Sequence, residues 1–311
     1  MAVVPALPDA DPVGRPDPVR RPGRMGRPGR TRRPADRHHR GVSRWIVLAL
    51  VTAAALVMLV PFAFMLLNAF KAPADYSTNG PLSWPTEFYT TGLRTYWEQV
   101  DYPLKLWNSI VISGSVAVLA VLVSLLSAYA LGIGRVRGRL WIVGVFLLAN
   151  MLPQEALVYP LYHFAKEAGL YNTRLAVIII FTVIQAAFGT YLLASVLGTF
   201  PRQLLEAAAL DGAGTWRILW RVVLPNIRST ISVLLVFFFI WTWNEFLIPL
   251  VMLIDNQTQT VPVALASLQG DRLMDAPTTN AGALLSILPA IIFFVIFQRT
   301  LARGVTAGAD K

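Results

Sequence analysis

Six stretches of this chain are too apolar to remain in water: residues 45–67, 107–133, 140–159, 175–197, 230–253 and 281–297. A helix rises 1.5 Å per residue, so about twenty residues cross the roughly 30 Å hydrocarbon layer of a bilayer. Inside that layer no water is available to the backbone, and each N–H and C=O needs a protein partner. The stretches therefore read as membrane-spanning helices, and the fold class is all-α and integral to the membrane. Composition agrees: 55% of the 311 residues are hydrophobic and 14% charged, whereas soluble domains are nearer a quarter charged.

The basic residues then set a topology. The chain before the first span, the 135–139 turn, the 198–228 segment and the C-terminal end hold 21 of the 27 lysines and arginines. Lys71, Arg94, Lys105, Lys166, Arg174 and Arg272 fall on the opposite side. Lys and Arg accumulate in cytoplasmic loops. Both termini are thus expected in the cytoplasm, which requires an even number of spans, as six provides.

Residues 1–43 are rich in Arg, Pro, Gly and Asp without apolar periodicity. They are expected to form a disordered tail ahead of a six-span membrane domain over 44–311. Through Arg44 this end carries eleven arginines against four aspartates. A basic run beside a span suits anionic membrane lipid. Nucleic acid is not expected, because the tail has no aromatic residues for base stacking. The chain has no cysteine and three histidines, two of them (His38 and His39) in or beside the tail. Disulfides and thiolate sites are excluded, and neither a metal nor a cofactor is expected. None of the four lysines follows a glycine, so no phosphate-binding Gly-Lys-Ser/Thr loop is present. The chain is not expected to hydrolyse ATP.

The 200–225 loop is the most informative polar stretch. Pro201 suits the first turn of a helix, residues 204–210 are mostly strong helix formers, and Gly212 suits a left-handed C-terminal cap. A second amphipathic helix fits 215–223, with Arg217 and Arg221 on one face beside Trp216 and Trp220. Pro225 then opens the fifth span. A short rigid helix of this kind can enter a groove on a partner or lie on lipid, and composition does not choose between these.

The motif does choose. Glu206-Ala207-Ala208, then Asp211-Gly212-Ala213, then Leu224-Pro225 resembles the EAA signature of ABC importer permeases. The resemblance continues in Trp107-Asn108-Ser109, Pro160-Leu161-Tyr162, Gly169-Leu170-Tyr171-Asn172-Thr173, Trp243-Asn244-Glu245-Phe246 and the 304–309 end. These are similar to the second permease of carbohydrate transporters of the maltose type. The resemblance implies a type I ABC importer permease fold with a cytoplasmic coupling helix in 200–225. It implies that Glu206, Ala207, Ala208, Asp211, Gly212 and Ala213 dock on a separate ATPase, present in two copies. It further implies a second homologous permease forming a heterodimer, an extracellular solute-binding protein, and a sugar, oligosaccharide or polyol as solute, in a bacterial cell membrane.

Polar groups inside spans are costly, and so are candidates for function. Asn244 and Glu245 fall within the fifth apolar stretch, and Gln185 and Tyr191 within the fourth. They are candidate substrate-path residues, with helix packing through Gly189 and Thr190 as the competing reading. Pro249 and Pro289 are candidate kinks. An ion-coupled secondary transporter is the alternative function, although no inverted repeat is evident. A membrane enzyme lacks a catalytic constellation.

Overall fold

The structure, a computed structural model, describes residues 39–134, 136–270 and 275–306. The chain divides into two units, Met1–Val57 and Met58–Lys311. In the first, the described part is the start of helix α1 (His39–Ala69), whose apolar side chains from Trp45 to Val57 are exposed. The helix begins ahead of Trp45, so residues 39–43 are helical; residues 1–38 lie outside the described residues.

The second unit is built on α4 (Tyr102–Gly132) and α7 (Arg174–Gly198), the most extensive helix pair. Small residues recur along α4: Ala117, Ala120, Ser124, Ala128 and Gly132. They let α7 approach closely, as in other membrane helix pairs, where lipid is as apolar as leucine and dispersion at short range does the holding. Gly189 marks the closest approach: a Cβ there would sit 2.2 Å from Ser124 Oγ and 3.0 Å from Phe238. Ser124 donates its hydroxyl to Ala120 O at 2.6 Å within α4, and at 3.3 Å to Ala186 O across the pair. Helix α10 (Leu224–Asn244) packs on α4 and brings Leu234 and Phe238 into the same core.

Among the described residues, five helices are long and apolar enough to cross a membrane. The third expected span is different. It is a pair, α5 (Arg139–Met151) and α6 (Gln154–Glu167), bent by 98°; counted as one, it makes the sixth span. Pro153 causes the break. It has no N–H, and it drives the preceding residue out of the helical region. Leu152 is accordingly extended, at φ −70° and ψ 129°.

The fifth span also stops early. Residues 230–253 were expected to be continuous, but α10 ends at Asn244 and a short α11 (Leu247–Met252) follows. Pro249 lies four residues beyond Glu245. Its missing N–H and its ring prevent the helical bond to the Glu245 carbonyl, and Glu245 is extended at φ −69° and ψ 134°. Asn244 and Glu245 therefore stand at a helix end rather than mid-span. At the other end of α10, the separate helix expected at 215–223 is absent as such. Helix α9 (Thr215–Ile218) runs through a π-helical turn, Leu219–Val223, straight into α10. Pro225 can donate no backbone bond there, and Leu224 N–H reaches back five residues to Leu219 O.

Two of the polar segments between the apolar stretches are folded. Residues 68–105 contain α2 (Pro73–Asn79) and α3 (Thr91–Gln99), and α3 packs on the last helix, α13 (Ala276–Thr306), through buried Tyr96. Lys71 is buried and donates to Gly80 O, Ser83 O and Ser83 Oγ. Residues 254–280 contain α12 (Val261–Gly270), with Val261, Val263 and Ala264 buried; residues 271–274 lie outside the described residues.

A polar clamp fixes the 253–261 backbone. Lys105 Nζ donates to Asn256 O. Asn108 Nδ2 donates to Gln257 O and Gln259 O, each at 2.9 Å, and its Oδ1 accepts from Arg174 at 3.1 Å. Ser109 Oγ accepts from Val261 N–H at 2.9 Å, and Asn172 Oδ1 from Asp255 N–H at 3.0 Å. Lys105, Asn108 and Ser109 are buried and have backbone groups as partners, which is what their burial demands.

Enlarging Gly189 tests the central helix contact. Gly189→Val should lower the thermal midpoint of the detergent-purified protein, with overpacking costing about 1–3 kcal/mol. Adding Ser124→Gly should recover part of that loss, read by the same melting curve.

Candidate ATPase-docking loop

Helix α8 (Arg202–Leu210) is the element around which this site is built. Pro201 precedes it in an extended conformation, at φ −60° and ψ 113°. Its far end closes in a complete Schellman motif: Ala213 N–H donates to Ala208 O at 3.0 Å and Gly212 N–H to Ala209 O at 3.0 Å. The motif needs a left-handed residue at Gly212, whose φ is +73°. The expected cap is therefore present, and it turns the chain sharply into α9. Tyr129 on α4 donates its hydroxyl to Thr215 O at 3.1 Å, which ties the turn to the helix pair beneath.

The two faces of α8 differ. Leu205 is partly buried and, with Phe200, packs against the core formed by α4, α7 and α10. Ala208 is 8% exposed and faces the same way. Glu206, Ala207, Asp211 and Gly212 are exposed, and Ala213 is half-buried. The six residues singled out by the motif are thus divided: Ala208 seats the helix on its own chain, while its neighbours are open. Leu210, which the motif did not single out, is 89% exposed. The signal in the sequence was a large aliphatic residue placed directly before the Asp-Gly cap. A cleft of about 480 Å³ runs alongside, lined by the end of α4, the start of α5, Phe200, Arg202, Leu205, Glu206 and Ala209.

The four candidate path residues are not brought into one cluster. Gln185 is fully buried and donates Nε2 to Thr242 Oγ1 at 2.8 Å, bonding α7 to α10. Tyr191 is partly exposed farther along α7. Asn244 is exposed and donates to Ile240 O at 2.8 Å, while Glu245 accepts from Trp241 Nε1 at 3.1 Å. The break at Leu152–Pro153, which neighbours Trp241 through a shared cavity, was not anticipated. Pro153 was its signal.

Residues 120–307 match the family described as "Binding-protein-dependent transport system inner membrane component". The chain belongs to this family. Among its relatives, the lactose transport system permease protein of Rhizobium radiobacter is 30% identical over 257 residues, 83% of this chain and 93% of that protein. The trehalose/maltose transport system permease protein of Thermococcus litoralis is 30% identical over 265 residues, covering 83% and 93%. The melibiose/raffinose/stachyose import permease protein of Bacillus subtilis is 26% identical over 276 residues, covering 88% and 99%. A chain from the crystal structure of a bacterial ABC transporter, one involved in the import of the acidic polysaccharide alginate, shares the fold. Its TM-score is 0.73 at 19% identity, over 83% of this chain and 96% of that one. This binding-protein-dependent permease is therefore a multi-pass membrane subunit of the ABC importer type, a type that works with ATPase and binding-protein partners.

The cap at Gly212 gives a local test. Gly212→Val should destabilise the α8–α9 turn by about 1–2 kcal/mol, because a Cβ strains the left-handed conformation. Gly212→Asn should cost much less. Proteolytic cleavage rates within 208–216 distinguish the two.

Proposed function

We propose that this permease carries a sugar, an oligosaccharide or a related polyol into a bacterial cell, driven by ATP hydrolysed on separate subunits. The relatives named for lactose, for trehalose and maltose, and for melibiose, raffinose and stachyose support the solute class. The observation that carries the mechanism is α8: a short helix seated by Leu205 and Ala208, closed by a Schellman cap, with Leu210 presented outward.

In this reading Glu206, Ala207, Asp211, Gly212 and the added Leu210 enter a groove on an ABC ATPase, while Ala208 and Ala213 hold the shape that enters. A preformed helix loses little entropy on docking, so more of the contact energy appears as affinity. The two ATPase copies each receive such a helix, one from this chain and one from a second homologous permease in a heterodimer. Because α9, the π-helical turn and α10 are continuous, a displacement of the loop is passed directly into a span. An external binding protein delivers solute to the opposite end. The concentration of arginine around the loop and at both termini supports a cytoplasmic position for all three. Residues 1–43 serve as a basic cytoplasmic tail before the 44–311 permease domain. Asn244 and Glu245 line the solute path, with Tyr191 farther along it and Gln185 bracing α7 against α10.

Copurification tests this directly: the chain expressed with its partner genes should bring down an ATPase, and absence of any ATPase counts against an importer. Leu210→Glu should weaken ATPase association by about 2 kcal/mol, roughly thirtyfold, as loss of an interface anchor does. Glu206→Ala and Gly212→Pro should separate ATP hydrolysis from uptake in proteoliposomes. Unchanged uptake in both would contradict the docking role.

A further inference from the structure

Two helix breaks meet in this molecule. Beyond the first, α6 packs against α11, the helix that follows the second. At each break the regular helical bonding is interrupted, around Leu152–Pro153 and around Glu245–Phe246. Non-helical backbone at membrane depth is tolerated where protein buries it or where it lines a wet cavity, and broken helices of this kind hold solutes in transporters.

Cavities lie at this place. One of about 240 Å³ is lined by Asn150, Leu152, Gln154 and Leu157 from the first break, by α7, and by Trp241. A more open cleft of about 450 Å³, farther along α6, is lined by Glu155, Val158, Tyr159, Tyr162 and Val251. Their polar groups are amides, an indole, tyrosine hydroxyls and a carboxylate. Asn150 and Gln154 are amides; Asn150 donates one Nδ2 hydrogen to Phe146 O at 2.7 Å, and its carbonyl can accept. Glu155 is exposed. Glu245 stands beside the first cavity, accepting at 3.1 Å from the indole of Trp241, which lines it. Tyr159 is 72% exposed, its ring packed edge-on against His163 at 4.6 Å. No lysine or arginine lines either cavity. The one lysine of α6, Lys166, is engaged with Tyr162, its ammonium 5.5 Å from the ring centroid and 3.2 Å from the hydroxyl.

Aromatic faces with carboxylate and amide acceptors suit a ring bearing C–H on its faces and O–H donors at its edge. Two carboxylates beside one path repel a third. We infer that the paired helix breaks, through Glu155, Tyr159, Trp241 and Glu245, form a contact site for a neutral, hydroxyl-rich sugar and reject an acidic one. The inference rests on the importer reading above and adds to it the charge of the solute and the place of contact. It also separates this permease from the structurally similar chain of the alginate importer, whose solute is acidic.

The chain has no cysteine, so Tyr159→Cys supplies its one thiol, at an exposed position. In the assembled transporter, labelling of that thiol on this chain is followed with a cationic and an anionic methanethiosulfonate reagent. At saturating concentration, at least one of lactose, melibiose and trehalose should slow labelling by about tenfold or more, as expected when a ligand buries most of its surface in a pocket. Digalacturonate should not. Adding Glu155→Gln and Glu245→Gln should lower the cationic-to-anionic rate ratio by roughly tenfold, because the field that concentrates cations is removed. An unreactive thiol, a rate ratio unmoved by the two Gln substitutions, absence of protection by all three neutral sugars, or equal protection by digalacturonate each overturns the inference. A transporter that imports a neutral sugar without protecting the Tyr159→Cys thiol leaves the importer reading standing and removes this one. A chain that brings down no ATPase removes the importer reading, whatever the labelling shows.

Discussion

Close approach of α4 and α7 sets the terms for the rest of the second unit. In a bilayer two apolar helices gain little by leaving lipid, so a pair holds together only if its backbones come near enough for dense van der Waals contact and an occasional hydrogen bond. Ala120, Ser124 and Ala128 on one helix, and Ala186 and Gly189 on the other, permit that approach. Once the pair is formed, α10 lies against α4, with Phe238 set at the Gly189 crossing. Gln185 and Thr242 add a buried bond between α7 and α10. Helix α5 leans on α7.

The same pair organises both ends. Where α4 and α7 begin, Lys105, Asn108, Ser109 and Asn172 clamp the 253–261 backbone, and Arg174 holds Asn108. Where they finish, Tyr129 anchors the turn after α8, and the α8 helix rests Leu205 on the shared core. A movement imposed on α8 therefore acts on a frame that reaches the clamp at the other end. Between the two lie the breaks made by Pro153 and Pro249, where the frame gives up helical bonding in exchange for cavities.

Much of this was legible in the residues. The apolar stretches, the short helix after Pro201 and its Gly212 cap could be read because they depend on local chemistry: hydropathy, helix propensity, and φ > 0 at a glycine. The break at Leu152–Pro153 was equally local and was passed over because hydropathy continues smoothly through it. The Trp107-Asn108-Ser109 and Asn172-Thr173 motifs could be recognised but not interpreted. Asn108 bonds carbonyls about 150 positions away, and no window of sequence shows such partners. Leu210 was legible as an apolar residue and not as an exposed one, because exposure depends on which face of α8 the core takes.

By itself the sequence determined that this chain crosses a membrane several times as helices, which backbone hydrogen bonding in hydrocarbon enforces. It determined that its arginines gather toward the termini and in the 135–139 and 198–228 segments between spans, and that a capped helix interrupts its spans. Tertiary structure decided which faces meet, that Ala208 turns inward while Leu210 stands free, and that two prolines about a hundred residues apart open their helices beside one another. Those outcomes follow from packing between distant segments, where shape selects one arrangement from many that hydropathy allows.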